Sequence, residues 1–329
     1  MIHSRIQQQD FATPMSALVP VKPLGKGMFG EVILVEEQST GKRFALKSIL
    51  RKTIQRYRLA TSLKHERESL SQLTHPFIVP FYASYKDDLK LHLLMEHIDG
   101  VDLFTGIREI GLLSEADAQF YVGCLVLVLE YLHDRDVLFR DLKPENVMLD
   151  QEGYPRLVDF GSAKWTTERT YTVAGTPHYM APEVIAGKGY SSAVDYWSLG
   201  VMLYEFLCGG VPFGEEFTDP YDIYEQVLVG TLAFPPFMDA LFPAKSLIEQ
   251  LLSRNPSRRL GGSVGMLKRN SWLRSTDWEG LLAKTVPAPY KPGPQPVETD
   301  TNPQETQDSE EAIDSADELS PQEEWDQDY

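Results

Sequence analysis

The feature that most constrains the fold is a glycine motif followed at once by a β-prone run. Residues 25–30 have the pattern G-x-G-x-x-G, with Gly25, Gly27 and Gly30 at its fixed positions, and Val32-Ile33-Leu34-Val35 comes next. In a dinucleotide-binding fold this pattern opens a helix, whereas here a strand follows. The motif therefore predicts a loop between two strands, whose amides can approach phosphates because glycine lacks a side chain. On this motif alone, a chance turn remains an alternative.

A lysine lies in the next strand-like run. Lys47 ends the apolar segment Ala45-Leu46-Lys47, and an inward lysine on a strand needs an anionic partner. A helical run over residues 63–73 places Glu66 on the same face as three leucines. We expect Lys47 to meet either the phosphates of ATP or the Glu66 carboxylate. A solvent-facing lysine with a weak surface pair is the alternative.

Two motifs further along resemble those of protein kinases. Residues 140–146 read Arg-Asp-Leu-Lys-Pro-Glu-Asn, similar to the catalytic loop R-D-x-K-x-x-N, and Asp159-Phe160-Gly161 follows after a short interval. The resemblance implies that Asp141 accepts or orients the proton of a substrate hydroxyl, and that Lys143 neutralises charge on the transferring phosphoryl group. It also implies that Asn146 and Asp159 are oxygen ligands of Mg²⁺. With Lys47 and Glu66, these residues form the expected catalytic and metal-binding set.

The order of strand and helix patterns agrees with this resemblance. Strand-like runs dominate before residue 95, and helical runs follow at 114–133, 194–208 and 244–253, with short strands near Val147 and Leu157. The kinase family implies a bilobal α+β fold with a small, mainly β N-lobe at 19–95 and a larger, mainly helical C-lobe at 99–273. Residues 1–18 would be a leader, and residues 274–329 a C-terminal extension with an acidic tail.

Longer segments resemble the AGC family of serine/threonine kinases. These are residues 175–183, Thr276-Asp277-Trp278 and the aromatic-acidic ending Trp325-Asp326-Gln327-Asp328-Tyr329. The resemblance favours a catalytic region like that of cyclic-GMP-dependent kinases, close to the catalytic subunit of cyclic-AMP-dependent kinases. Eighteen leading residues are too few for a cyclic-nucleotide-binding module. We therefore expect either a fragment or shortened gene product, or control by a separate regulatory subunit, and the sequence does not choose between them.

The resemblance also implies the nucleotide-binding residues. The glycines of residues 25–30 would cover the phosphates, and Trp325 or Tyr329 is a candidate cap for the adenine site, with a tail that does not order as the alternative. An apolar slot between the lobes would hold the adenine ring, with backbone hydrogen bonds from the hinge. The expected slot and hinge residues are Leu24, Val32, Ala45, Met95, Glu96, Ile98 and Met148.

Regulation and substrate choice follow from the same alignment of motifs. Thr172 stands where the family carries its activating phosphothreonine, so a phosphate there would face Arg140 and Lys164.

In this family, certain positions bind the substrate arginines that stand two and three residues before the phosphoacceptor. Here those positions are acids, with a threonine beside them. These expected substrate-binding residues are Asp102, Glu145, Thr176 and Glu205. They predict a preference for basic protein substrates, and solvated surface acids are the alternative.

The charge distribution narrows the classes of partner. The net charge is −17, but thirteen Asp and Glu residues and no Lys or Arg follow Lys291, so most of the excess lies in the tail. An acidic chain argues against a nucleic-acid partner.

The longest apolar stretch, residues 120–132, is too short to span a bilayer. Cys124 and Cys208 lie apart in apolar surroundings. We expect no membrane partner, two buried reduced thiols and a cytoplasmic location.

Two other classes of function fit the sequence less well. A dinucleotide-dependent oxidoreductase is excluded by the strand that follows the glycine motif. A pseudokinase scaffold would usually lack a metal or phosphate ligand, and here the full set is present. The sequence therefore favours an ATP- and Mg²⁺-dependent phosphotransferase.

Overall fold

The computed structural model describes residues 13–27, 29–260 and 264–293. The expectations for the leader before residue 13, for the tail after residue 293, and for Trp325 and Tyr329 lie outside these residues. The described chain has a sheet in its N-terminal region and helices in its C-terminal region. The predicted α+β class is therefore confirmed.

The N-terminal region is a five-stranded antiparallel sheet with strand order β1-β2-β3-β5-β4. Two helices, α1 and α2, connect β3 to β4. Strand β2 begins at Gly30, so the glycine motif joins two paired strands as predicted and no helix opens there. The bounds are β1 Leu18–Lys26, β2 Gly30–Glu37, β3 Arg43–Leu50, α1 Arg51–Tyr57, α2 Ala60–Gln72, β4 Phe81–Lys86 and β5 Lys90–Glu96.

Alternation along β3 decides which side chains face the cleft. Phe44 and Leu46 are buried and pack in a small core with Leu94. Because successive side chains of a strand point to opposite faces, Ala45 and Lys47 lie on the other face. Both of these residues line the cleft below the sheet. The alternation of side chains along β3 therefore points Lys47 inward, as the sequence predicted.

Helix α2 packs an apolar face that includes one acid. Leu63, Glu66 and Leu70 are buried on it, as the helical spacing predicted. The helix ends at Gln72, so the prediction that it reaches residue 73 was one residue too long. Leu73 is still buried, but its backbone is extended.

The C-terminal region is built on two buried helices, α4 and α6. In α4, the Ser114 hydroxyl accepts a hydrogen bond from the Asp117 amide at 3.2 Å, which caps the helix start. Helix α8 ends at Leu251, two residues before its predicted end. The bounds are α3 Leu103–Ile110, α4 Glu115–His133, α5 Pro182–Ile185, α6 Ala193–Cys208, α7 Pro220–Val229, α8 Phe242–Leu251, α9 Val264–Lys268 and α10 Trp278–Leu282.

Five short strands frame the two segments that resemble kinase motifs. They form a three-stranded sheet of order β6-β8-β9 and a pair of β7 with β10. The segment 139–146 runs from β7 to β8, and Asp159 follows β9, so both segments emerge at neighbouring strands. The bounds are β6 Val101–Asp102, β7 Val137–Leu138, β8 Val147–Leu149, β9 Pro155–Leu157 and β10 Lys164–Trp165.

Both cysteines are free thiols. Cys124 is buried in the middle of α4, and burial raises the pKa of its thiol. Cys208 ends α6 and is partly exposed, so the prediction of a buried thiol was wrong there. Among the described residues, no helix is both long and apolar enough to cross a membrane.

A buried ion pair joins the start of α5 to the segment after α8. The Arg259 guanidinium donates to both oxygens of Glu183, at 2.6 and 2.9 Å, and to the Ala193 carbonyl at 2.9 Å. Only 6% of the Glu183 side chain and none of the Arg259 side chain is exposed. Each charge therefore depends on the other for compensation.

Replacing Arg259 with Ala should lower the free energy of unfolding by about 3–5 kcal/mol, because Glu183 would remain buried without its partner. Urea unfolding measures this change. Arg43→Ala is the matched control, since Arg43 pairs with Glu36 at 3.1 Å on the surface, and its loss should cost less than about 1 kcal/mol. Equal losses in the two variants would contradict the prediction.

Candidate active site

A cleft of about 940 Å³ lies between the sheet and the helical region. All seven residues predicted for the adenine slot and hinge line it, namely Leu24, Val32, Ala45, Met95, Glu96, Ile98 and Met148. Gly25, Lys47, Glu66 and Asp159 line the same cleft. A largely apolar pocket of this size with a few polar groups at one end suits a flat heterocycle that carries charged groups.

The glycines of residues 25–30 differ in what surrounds them. A Cβ atom at Gly30 would lie 2.4 Å from the Ser48 carbonyl oxygen, so the packing of the sheet itself requires glycine there. At Gly25 a Cβ would meet no atom within 4 Å, and at Gly27 it would meet one only at 3.8 Å. The protein therefore leaves space at Gly25 and Gly27 beside the cleft, which fits a group that approaches the backbone closely.

Three charged side chains converge at the inner end of the cleft. Lys47 Nζ lies 2.7 Å from Glu66 Oε1 and 3.0 Å from Asp159 Oδ1. Strand β3, helix α2 and the segment after β9 each contribute one of them. Glu66 is buried, whereas half of the Asp159 side chain is exposed to the cleft. The sequence offered either phosphates or Glu66 as the partner of Lys47, and the structure places Lys47 against Glu66 and Asp159.

The electrostatics of this triad follow from burial and charge. Burial alone would lower the pKa of Lys47, but the two adjacent carboxylates outweigh it and raise that pKa. Burial raises the pKa of Glu66. For Asp159, burial is opposed and overcome by Lys47, and the pKa of the carboxyl is lowered. Lys47 and Asp159 are therefore charged at neutral pH.

A second polar cluster surrounds Asp141. Its Oδ2 accepts from Asn146 Nδ2 at 2.9 Å and lies 3.2 Å from Lys143 Nζ. Its Oδ1 accepts from the Thr176 hydroxyl at 2.9 Å, and Lys143 Nζ donates to the same hydroxyl oxygen at 2.6 Å. Both Asp141 oxygens are therefore fixed in position. Thr176 was predicted near the substrate, and here it bridges Asp141 and Lys143.

Asn146 is tied to both predicted segments. Its side-chain amide also donates to the Asp141 carbonyl at 2.8 Å, and its own carbonyl accepts from the Val158 amide at 3.0 Å. Val158 precedes Asp159, so these bonds hold the segment of Asp159 beside the segment of Asp141. Carboxylate and amide oxygens of this kind suit a hard cation such as Mg²⁺, which takes its other ligands from phosphates and water.

A buried acid of α6 fixes the backbone of the loop that carries Asp141. Asp195 is fully buried and accepts from the amides of Phe139 and Arg140, at 3.0 and 2.7 Å. His133 Nε2 lies 2.7 Å from the same carboxylate. Arg140 has a φ of 70°, a strained value for a residue with a side chain. The charge-assisted bonds to Asp195 compensate this strain.

Two members of this support were not found from the sequence. The sequence gave no signal for His133, which ends α4 more than sixty residues before Asp195. Tyr190 was also missed. Its hydroxyl donates to the Thr172 carbonyl at 2.5 Å and accepts from Arg140 Nη1 at 3.1 Å. Only the tertiary packing brings these side chains to the loop.

The surroundings of Thr172 are partly as expected. Arg140 reaches the segment of Thr172 through Tyr190 and also donates to the Ser162 carbonyl at 2.5 Å. Lys164 donates to the Thr170 hydroxyl at 2.8 Å. Thr172 itself is exposed. Lys164 therefore contacts the segment around Thr172 directly and Arg140 is linked to it through Tyr190, while the Thr172 side chain is exposed.

Two of the three predicted substrate acids line the cleft. Asp102 and Glu145 both line it. Asp102 also caps α3 through bonds from the amide and hydroxyl of Thr105, each at 2.8 Å. Glu205 accepts from the Tyr179 hydroxyl at 2.7 Å. Burial raises the pKa of Glu205, and the charge of Glu145 adds to that increase, so these two acids influence each other.

The sequence profile described as "Protein kinase domain" matches residues 18–273. The chain belongs to the protein kinase family. A cGMP-dependent protein kinase of Plasmodium berghei is 43% identical over 88% of this chain, and one of Toxoplasma gondii is 40% identical over 91%. The cAMP-dependent protein kinase type 3 of Saccharomyces cerevisiae is 38% identical over 86%. Together with the family match, these relatives support the assignment to the AGC kinases.

The match covers unequal shares of these relatives. The chain spans 34% and 30% of the two cGMP-dependent enzymes, about a third of their length, but 71% of the yeast enzyme.

Thr176→Val should lower kcat of this kinase by about 10- to 100-fold, because Asp141 and Lys143 would lose the hydroxyl that positions both of them. The KM for ATP should change little, since the nucleotide slot is untouched. Thr176→Ser is the matched control, because it keeps the hydroxyl. Steady-state kinetics with a peptide substrate would contradict the prediction if the valine and serine variants behaved alike.

Proposed function

We propose that this chain transfers the γ-phosphoryl group of Mg-ATP to serine or threonine hydroxyls in arginine-containing protein segments. The observation that carries the proposal is the Asp141 carboxylate, held by Thr176 and Asn146 and placed beside Lys143. The arrangement provides an acceptor for a hydroxyl proton next to a cation that stabilises a phosphoryl group.

Each polar group of the site has a part in this reaction. Asp141 orients the substrate hydroxyl and accepts its proton, and Lys143 stabilises the charge of the phosphoryl group. Lys47, held by Glu66, binds the phosphates of the nucleotide. Asn146 and Asp159 would hold Mg²⁺. When bound, Mg²⁺ neutralises phosphate charge and fixes the orientation of the phosphates.

The cleft supports ATP as the phosphate donor. Its apolar residues Val32, Ala45 and Met148 would enclose the adenine ring, and the backbone at Glu96 and Ile98 would bind the edge of the ring. The open space at Gly25 and Gly27 leaves room for the phosphates.

Charge supports the choice of basic protein substrates. Asp102 and Glu145 line the cleft. Glu205 is near enough to Glu145 for the charge of Glu145 to raise the pKa of Glu205. Carboxylates can accept paired hydrogen bonds from a guanidinium group, so these acids favour arginine before the phosphoacceptor.

We also propose two levels of control. A phosphate on exposed Thr172 would add about two negative charges near Arg140 and Lys164 and order this segment. The names of the relatives suggest control by cyclic GMP or cyclic AMP. The nucleotide would be sensed outside the kinase region, either by another segment of the protein or by a separate regulatory subunit.

Asp141→Asn should lower phosphate transfer from Mg-ATP to a peptide with two arginines before a serine by about 10²- to 10⁴-fold, because the amide cannot accept the hydroxyl proton. Nucleotide binding should persist, since Asp141 does not line the adenine slot. The assay measures radiolabel incorporated into the peptide, with and without cyclic GMP.

Asp239→Asn is the control, because Asp239 pairs with Lys245 on the surface. It should transfer phosphate at the wild-type rate. A wild-type chain that is phosphorylated at Thr172 and binds ATP but transfers no phosphate would refute the proposal and favour a nucleotide-binding scaffold.

The raised pKa of Glu205 predicts a pH dependence of substrate binding. Because the pKa lies above the ordinary glutamate value of about 4.3, Glu205 is protonated over part of the acidic range and binds arginine weakly there. The KM for the arginine peptide should fall as pH rises through the shifted pKa and then level off.

In Glu205→Gln the KM should be about tenfold higher or more, and this part of the pH profile should disappear. A peptide with alanine in place of both arginines is the control, and its KM should not follow the titration of Glu205. An unchanged pH profile in the glutamine variant would rule out Glu205 as the group that binds arginine.

A further inference from the structure

Three hydroxyl side chains in this sequence stand three residues after an arginine. They are Thr61, Thr172 and Ser257, which follow Arg58, Arg169 and Arg254. The predicted substrate acids favour an arginine at this position of a substrate. These hydroxyls are therefore the candidates for phosphorylation by this chain itself, an inference that rests on the function proposed above.

Ser257 is a poor candidate because its arginine is already bound within the fold. Arg254 Nε donates to the Val227 carbonyl at 2.8 Å, and the same guanidinium contacts the Gly230 carbonyl. It also lies 5.0 Å from the centre of the Phe213 ring. An arginine held in this way cannot reach the acids of another molecule. Thr172 is already part of the control proposed above. Thr61 is therefore the remaining candidate for a new phosphorylation site.

Thr61 and Arg58 are both exposed. They lie at the junction of α1 and α2, where Arg58 follows the last residue of α1 with φ 54° and ψ 42°. This left-handed conformation is unfavourable for a residue with a Cβ atom. The N-cap of α2 is Leu59, whose side chain has no acceptor for the free amides at the start of the helix. The junction is therefore locally unstable. It can open into the extended conformation that a peptide segment needs in order to enter an active-site cleft.

We propose that Thr61 is an autophosphorylation site, modified by a second copy of this chain. Only Arg58 and Leu59 separate α1 from α2, so moving Thr61 into the cleft of its own molecule would unfold the adjoining turns of both helices. In the reaction, the bond between the γ-phosphorus and the β-γ bridging oxygen of ATP breaks and ADP leaves. The Thr61 hydroxyl oxygen forms the new bond to phosphorus, and its proton passes to Asp141 of the modifying copy.

Phosphorylation at Thr61 has a physical consequence for the modified copy. Thr61 lies in the first turn of α2, and the same helix carries Glu66, which binds Lys47. About two negative charges there would favour the helix, because the start of a helix carries partial positive charge and Arg58 is adjacent. The phosphate would thus stabilise the helix that positions Lys47, and we expect kcat to rise about two- to fivefold.

The test uses full-length Asp141→Asn as the recipient, since this variant cannot modify itself. Wild-type chain, radiolabelled Mg-ATP and the arginine peptide are added together, and labelled sites are mapped by mass spectrometry. The recipient should be labelled at Thr61, and Thr61→Ala in the recipient should remove that label. Ser62→Ala is the matched control and should keep it, since Ser62 has no arginine three residues before it.

Two further variants of the recipient test recognition. Arg58→Gln should slow labelling of Thr61 about tenfold or more, because a charged hydrogen bond to the acids of the cleft is lost. Arg56→Gln is the control, because Arg56 stands five residues before Thr61, and labelling should continue at the original rate. Melting temperatures of the recipients establish that they are equally folded. In wild type alone, the rate of Thr61 labelling per molecule should rise with protein concentration.

The outcomes separate this inference from the proposed function. Labelling of the peptide without labelling of Thr61 would overturn the inference and leave the function intact. So would equal labelling of the Arg58→Gln and unmodified recipients. No transfer to either the peptide or the recipient would overturn both. Finally, the kcat of wild type fully phosphorylated at Thr61 should be higher than the kcat of Thr61→Ala. Equal kcat values would contradict the proposed effect on α2.

Discussion

The ion pair between Lys47 and Glu66 is the interaction on which the active site depends. Glu66 is buried, so its carboxylate is tolerable only because Lys47 lies 2.7 Å away. Lys47 also reaches Asp159 at 3.0 Å. The sheet, helix α2 and the segment after β9 therefore meet at one point. A shift of α2 would leave a buried acid unpaired, which makes the position of this helix a condition for the shape of the cleft.

The catalytic loop depends on a second buried acid. Asp195 accepts the amides of Phe139 and Arg140 and contacts His133, so the loop is bound to α6 and to the end of α4. This support fixes the backbone, while Thr176 and Asn146 fix the Asp141 carboxylate itself. The carboxylate proposed to act as the base is thus fixed in position, a form of preorganisation that lowers the cost of orienting the reactants.

Local pattern predicted the main elements well. The strand after the glycine motif, the alternation on β3 and the helix that carries Glu66 were each evident from side-chain periodicity, because each buries one face of a regular element. The ends of α2 and α8 were predicted one or two residues too late. Cys208 was expected to be buried because its neighbours are apolar, but it ends α6, where the chain turns towards the surface. Periodicity identifies a face and is less informative at a boundary.

The sequence by itself determined which residues are candidates for the chemistry. Short motifs identified Lys47, Asp141, Asn146 and Asp159 because each step of the proposed reaction needs a particular functional group. It also determined that a strand follows the glycine loop, which separated the candidate folds. Only the tertiary structure decided which groups support them. His133, Tyr190 and the bridging role of Thr176 depend on side chains that are distant in the chain and meet through packing, and hydrogen bonds between such residues leave no local pattern in the sequence.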